Sequence, residues 1–340
     1  MTNKWNLHNS LTYTLLFFLA TSLCSNALGA VNIPFTVDAG GVHLTGFELK
    51  GSKVIFDNDF FDDIVDHTMF MGLGSYGYYD LVGIIVTRDM WQGYPNAFGM
   101  PGAKHAVKRA RQAGMRNIPE PVAGSMVRID VGNPEKTAGS ALIIEQARKC
   151  TQKKPLVIFV GGNATTVASA LIQAPDIATN IIVFTLNLGH YNGTDETTVY
   201  ELCKRAKVVN WAWGYFYPRE ACFKSNDSRF NERIPPLPDK PQNGDSPRWE
   251  IKDYFLNDLL KRNIVHINQI GDGPTLVWLM NNKCFTKARK WRVSKGRTGE
   301  VVKEGDDWDV VDICGQDYAL MGETFFEWMS KEEIYTGGGR

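Results

Sequence analysis

Short apolar runs at residues 54–56, 81–87, 156–160 and 181–184 constrain this chain more than any other feature. Each is rich in Val, Ile, Leu or Phe, too short for a buried helix, and bounded by glycine or polar residues. Continuous rather than alternating hydrophobicity marks strands covered on both faces, which is the habit of parallel sheets. Between the runs lie helix-like segments at 64–73, 102–113, 137–149 and 165–173. The segment at 102–113 puts Lys104, Lys108, Arg109 and Arg111 on its wet side, and the one at 137–149 opens on capping residues. A short strand is expected at 119–124. This alternation predicts an α/β fold: a mostly parallel, doubly wound (Rossmann-like) sheet with helices on both faces. The rhythm lapses at 214–247, where Pro218, Pro235, Pro236, Pro238, Pro241 and Pro247 mark a long loop excursion. Helices are expected again at 251–261, from Asp272 to about residue 280, and at 318–329, with strands at 291–302 and 308–313.

The N-terminus reads as a targeting segment. Lys4 and His8 precede the apolar stretch 15–20, and small residues follow at Ala27, Gly29 and Ala30. That order is the pattern of a secretory signal peptide covering 1–29, and the apolar run is too short for a membrane span. The expectation is a secreted protein without stable membrane insertion, whose domain covers 30–340. Of six cysteines, Cys24 would leave with the signal. Cys150, Cys203, Cys222, Cys284 and Cys314 would then allow two disulfides and one free thiol, at spacings that match no zinc pattern. Sequons at Asn163, Asn192 and Asn226 are candidate glycan sites, with Asn163 doubtful because it borders the candidate site. Lys+Arg and Asp+Glu both number 37, so no basic surplus exists to hold a nucleic-acid backbone. Self-association stays open.

The chemistry concentrates just after the first apolar run. Asp57, Asp59, Asp62 and Asp63 follow it closely, with nothing basic between them. Carboxylates this close repel, so some must take up protons or a cation must sit among them. Converging hard oxygen ligands suit Ca²⁺ or Mg²⁺, and the end of a strand is where α/β sheets place ligands. A solvated acidic turn is the bland alternative. His67, His190 and His266 read as structural rather than catalytic.

The ordered set of segments resembles the nucleoside hydrolases. The acidic cluster is similar to that family's signature after its first strand, and residues 81–89 to its second strand. Residues 140–145 resemble the helix before the third metal element, 155–168 the apolar strand and Gly-rich turn, 271–277 the late Asp-Pro segment, and 296–299 the C-terminal Gly-rich stretch. The resemblance implies calcium-dependent hydrolysis of the N-glycosidic bond of ribonucleosides, releasing base and ribose. Asp59 would both touch Ca²⁺ and act as the catalytic base, with Asp63, Asp272 and the Val160 carbonyl completing the metal shell. Asp62 and Asp89 would contact the sugar, and Asn187, Asn192 and Glu196 are candidates for the same task.

The chain also departs from that family. Only Phe60 and Phe61 stand between the second and third acids, where the family usually has Pro-Gly and one more residue. That leaves the register of Asp62 and Asp63 open by one. Gly271 stands where a leaving-group histidine is common. These departures favour, as the alternative, a catalytically impaired secreted nucleoside- or calcium-binding protein of the same fold. A haloacid-dehalogenase-like phosphatase ranks last, because Phe60-Phe61 does not fit its Gly-Thr.

Overall fold

The computed structural model describes residues 35–38, 41–44, 48–60, 64–87, 99–186, 188, 196–211, 280–293, 299–301, 308–329, 331 and 333–334. Residues 1–29, read from the sequence as a signal peptide, the proline-rich stretch 214–247 and the helix expected at 251–261 lie outside them. So do Asp62, Asp63, Asp89, Asn187, Asn192, Asp272 and Cys222.

Two strands, β1 (Phe35–Asp38) and β2 (Gly41–Leu44), pair antiparallel in the N-terminal extension. The first apolar run becomes β3 (Lys53–Asn58), followed by α1 (Ile64–Tyr76), β4 (Asp80–Val86), α2 (Met100–Gln112) and β5 (Pro121–Ala123). Next come α3 (Ala138–Arg148), β6 (Leu156–Val160), α4 (Thr165–Gln173) and β7 (Ile181–Leu186). Then α5 (Glu196–Arg205) and β8 (Lys207–Trp211) precede β9 (Phe285–Val293), β10 (Gly299–Val301), β11 (Val310–Gln316) and α6 (Tyr318–Met329). The sequence reading had neither α5 nor β8.

The second sheet runs in the order β5-β4-β3-β6-β7-β8-β11-β9-β10. The strands from β5 to β11 in that order are all parallel, and β9 and β10 add an antiparallel edge. The expected mostly parallel sheet with helices on both faces is therefore present. One apolar layer joins Val54, Phe56, Phe159 and Phe184 to α1, α2 and α6. The other joins Ile55, Ile85, Ile158 and Val183 to α3, α4 and α5. Alternate residues of each strand serve opposite layers, which is why these strands read as unbroken apolar runs.

Local chemistry sets the helix boundaries. Thr137 Oγ1 accepts from Ser140 N and Ser140 Oγ accepts from Thr137 N, both at 3.0 Å, a reciprocal cap that starts α3. Along α2, Ala103, Ala106, Val107 and Ala110 are buried while Lys104, Lys108 and Arg111 stay wet. Under β3, rings run in series: Phe56 stacks on Phe70 at 4.0 Å, Phe70 meets Phe159 at 5.0 Å, and Phe159 meets Phe184 at 5.4 Å. Such pairs contribute about 0.5–1.5 kcal/mol each beyond the area they bury.

No disulfide of those the cysteine count allows is formed among the described residues. Cys150, Cys203, Cys284 and Cys314 are free thiols. Cys203 lies in the layer with α5 and Cys284 in the opposite layer, so the sheet itself separates them.

Candidate functional site

The chain steps outward from β3 to β4 and β5, then returns to place β6 on the other side of β3. Ligands of open α/β sheets bind outside the carboxyl ends of strands at such a reversal. Asp57, Asn58 and Asp59 occupy that end of β3, and Val160 is paired with Asp57 in register. Gly161 N donates to Asp57 O at 2.9 Å, locking the two strand ends together.

Asp57 is fully buried, and neither of its carboxylate oxygens has a donor among the described residues. Burial first, and the neighbouring Asp59 charge second, push its carboxyl well above the usual carboxylate range. Asp59 is also buried. Further buried oxygens without partners among the described residues are Thr87 Oγ1 and Ser125 Oγ. Thr87 N donates to Asn58 O at 3.0 Å and Ser125 N to Thr166 Oγ1 at 2.8 Å, so both belong to the same carboxyl edge. Two carboxylates and hydroxyl oxygens, with no thiol in the group, are a donor set that fits a hard cation such as Ca²⁺.

Gly162 lets β6 come this close. A Cβ there would meet Thr87 Oγ1, lie 2.8 Å from Asp59 N and 3.1 Å from the Asn58 carbonyl carbon. Asn163 turns inward and its Oδ1 accepts from Thr165 N at 3.0 Å at the entry to α4. Its side chain is buried and engaged, which argues against a glycan at this sequon.

On the other face of β3, Asn58 Oδ1 accepts from Phe60 N at 2.6 Å and lies 2.8 Å from His67 Nε2. A backbone N–H must meet oxygen, so His67 carries its proton on Nε2 and donates it. Burial pushes His67 down to about 3, so the ring is neutral.

Of the residues singled out from the sequence, Val160 lies at the reversal paired in register with Asp57, and Asp59 follows two residues after Asp57. Glu196 opens α5 after β7 and is exposed. Asp62, Asp63, Asp89, Asn187, Asn192 and Asp272 lie outside the described residues.

A polar row went unread in the sequence. Thr185, Asn210 and Asp312 continue, strand by strand, the register that begins at Asp57 and Val160. Thr185 Oγ1 donates to Asn210 Oδ1 at 2.8 Å, and Asn210 Nδ2 donates to Asp312 Oδ1 at 2.7 Å. Leu188 N also donates to Asn210 Oδ1, at 2.7 Å, so this row holds the chain leaving β7. The only sequence sign was a polar residue after two valines, in Val208-Val-Asn and Val310-Val-Asp.

Asp312 makes the row sensitive to pH. Burial pushes its carboxyl from 3.8 up to about 6, against the pull of Asn210 and Arg289. A raised acid binds its proton more tightly folded than unfolded, so stability falls as pH rises from 3.8 to about 6. The full shift corresponds to on the order of 3 kcal/mol as a ceiling. Asp312→Asn should flatten this part of the stability curve, while Asp57 keeps its own share. Denaturant melts of both proteins at steps between these pH values provide the check, and an unchanged slope rejects Asp312 as the source.

No protein-family model matches the sequence, and no curated protein matches it. Solved structures do match. A nucleoside hydrolase-related hypothetical protein from Saccharophagus degradans, associated with carbohydrate metabolism, aligns with a TM-score of 0.52 at 15% identity. That alignment covers 85% of this chain and 73% of the other. A purine-preferring ribonucleoside hydrolase from Gardnerella vaginalis aligns with a TM-score of 0.50 at 15% identity, covering 84% of this chain and 99% of the other. The structural neighbours are thus nucleoside hydrolases, and at this identity what they establish is the fold.

Proposed function

We propose that this chain, built on the fold of the nucleoside hydrolases, hydrolyses the N-glycosidic bond of ribonucleosides with the help of Ca²⁺. The observation that carries the reading is the pair of buried carboxylates, Asp57 and Asp59, set beside Val160 at the reversal of strand order. In this reading Asp59 and the Val160 carbonyl hold the cation, joined by Asp63 and Asp272, which the sequence resemblance suggests. When bound, Ca²⁺ would supply positive charge that orients and acidifies a water.

The chain's own residues do the rest. Asp59 accepts the proton of the attacking water as general base. The glycosidic bond breaks ahead of water attack, so Asp59 is still a carboxylate while positive charge grows at the anomeric carbon, and it stabilises that charge. The base departs with the bond's electron pair and takes a proton from solvent, matching the one Asp59 removes from the attacking water. Asp62, Asp89, Asn187, Asn192 and Glu196 are the proposed sugar contacts. The alternative is a binding protein that keeps the cation and the nucleoside but lacks turnover. The observation on its side is Phe60, a bulky residue right after Asp59 whose ring is buried against Phe56 and His67.

Ribose release from inosine and uridine, measured with Ca²⁺ and again after chelation, separates the readings. The expected outcome is hydrolysis that chelation abolishes and added Ca²⁺ restores. Hydrolysis indifferent to the chelator removes the metal from the proposal. Nucleoside binding without cleavage selects the binding protein.

A further inference from the structure

The turn that presents Asp59 is not one that its residues adopt freely. Phe60 stands at φ 54°, in the left-handed region that favours glycine. For a bulky residue this costs on the order of 1–3 kcal/mol and persists only where the surroundings compel it. Three contacts compel it here. Asn58 Oδ1 receives the Phe60 amide at 2.6 Å, closing the turn through a side chain. The Phe60 ring is fully buried and lies 4.5 Å from the His67 ring and 5.7 Å from the Phe56 ring. His67 Nε2 donates to the same Asn58 oxygen at 2.8 Å, which fixes the rotation of the amide.

Asn58 therefore sits between two acids with its side chain on the far face of the sheet. Asp57 and Asp59, on either side of it, share whatever backbone conformation this oxygen enforces. Of the residues that enforce it, His67 is the one outside the turn, nine positions along the chain and on a different element.

We propose that His67 is a positioning residue for Asp59, acting through Asn58 to hold the left-handed turn at Phe60 that presents Asp59 to the cation. The inference rests on the proposed metal reading of Asp59. It adds to that reading a dependence on an imidazole that touches neither cation nor substrate. Outer groups that orient a ligand typically change metal affinity by about 10–100-fold when removed.

Two substitutions at His67 divide positioning from packing. His67→Phe keeps an aromatic ring in the stack and removes the donor. His67→Gln gives up the ring but retains an N–H able to reach Asn58. The readouts are the Ca²⁺ dissociation constant by calorimetry, the melting temperature in chelator, and hydrogen exchange at the Phe60 amide. His67→Phe should weaken Ca²⁺ binding about 10-fold or more and speed exchange at Phe60, with His67→Gln closer to the parent in both. A purely structural role would order the variants by melting temperature and leave Ca²⁺ affinity unmoved, and that result overturns the inference. Should His67→Phe not fold, Asn58→Ala removes the shared acceptor with the imidazole left in place, and is read in the same way. A parent protein that binds no Ca²⁺ overturns the metal reading itself. In that case the Phe60 amide still decides the hold on the turn: exchange faster in His67→Phe than in His67→Gln sustains it, and equal exchange refutes it.

Discussion

Asp59→Asn should lose about 10²–10⁴-fold of nucleoside hydrolysis at saturating Ca²⁺, the usual cost of removing a general base. Asparagine keeps the shape and one oxygen for the cation but cannot accept a proton from water. Metal affinity should fall as well, so the rate must be compared at Ca²⁺ concentrations that fill both proteins. Folding should survive. Asp57 is pushed up partly by the Asp59 charge, and removing that charge relieves a like-charge repulsion between buried groups. In chelator the variant should therefore melt no lower than the parent. Equal rates for the two proteins would remove Asp59 from the base role, and a variant that melts far lower would show the carboxylate to be structural.

Gly162→Ala should be nearly as damaging for a different reason. The added methyl would meet backbone, Asp59 N at 2.8 Å and the Asn58 carbonyl carbon at 3.1 Å, as well as the Thr87 hydroxyl. Backbone cannot rotate out of the way as a side chain can, so β6 and the turn after β3 must separate. Overpacking of this kind typically costs about 1–3 kcal/mol of stability. A displacement near 1 Å in a catalytic site can cost on the order of 10²-fold in rate. Both losses should appear together, in a denaturant melt and in ribose release. A variant with parental activity would mean that the two turns need not touch.

The strands were legible wherever both faces were covered, as in β3, β4, β6 and β7, because burial on both sides removes the polar half of the pattern. The start of α3 was legible because Thr137 and Ser140 are the cap. By contrast, α5 begins Glu196-Thr-Thr and reads as loop until its packing against the sheet is known. Strand β8 begins with Lys207, which is buried only because its Nζ donates to Trp308 O at 2.5 Å and lies 4.4 Å from the Trp308 ring. That partner is 101 positions away, beyond any local pattern. The site divides in the same way. Asp57 and Asp59 stood out as a cluster, and the resemblance pointed to Val160. Asn210 and Asp312 acquire meaning only through strand register, which no single stretch reveals. His67 reads as one more residue of a buried helix until the Asn58 oxygen is seen beside it. The cysteine count allowed two disulfides but carried no information about which side of a sheet each thiol faces.

The position of β11 between β8 and β9 has a consequence for synthesis. β8 and β9 leave the ribosome before β11, and although β8 can pair with β7 and β9 with β10, the two are not joined into one sheet until β11 arrives between them. Until then β8 presents an open row of amides and carbonyls, the kind of border to which a stray strand adds itself. Residues 212–309 emerge between β8 and β11. The C-terminal strand is thus a closing piece. A ribosome that stalls before it releases a chain whose first eight strands of the large sheet are made but whose sheet is unfinished and adhesive.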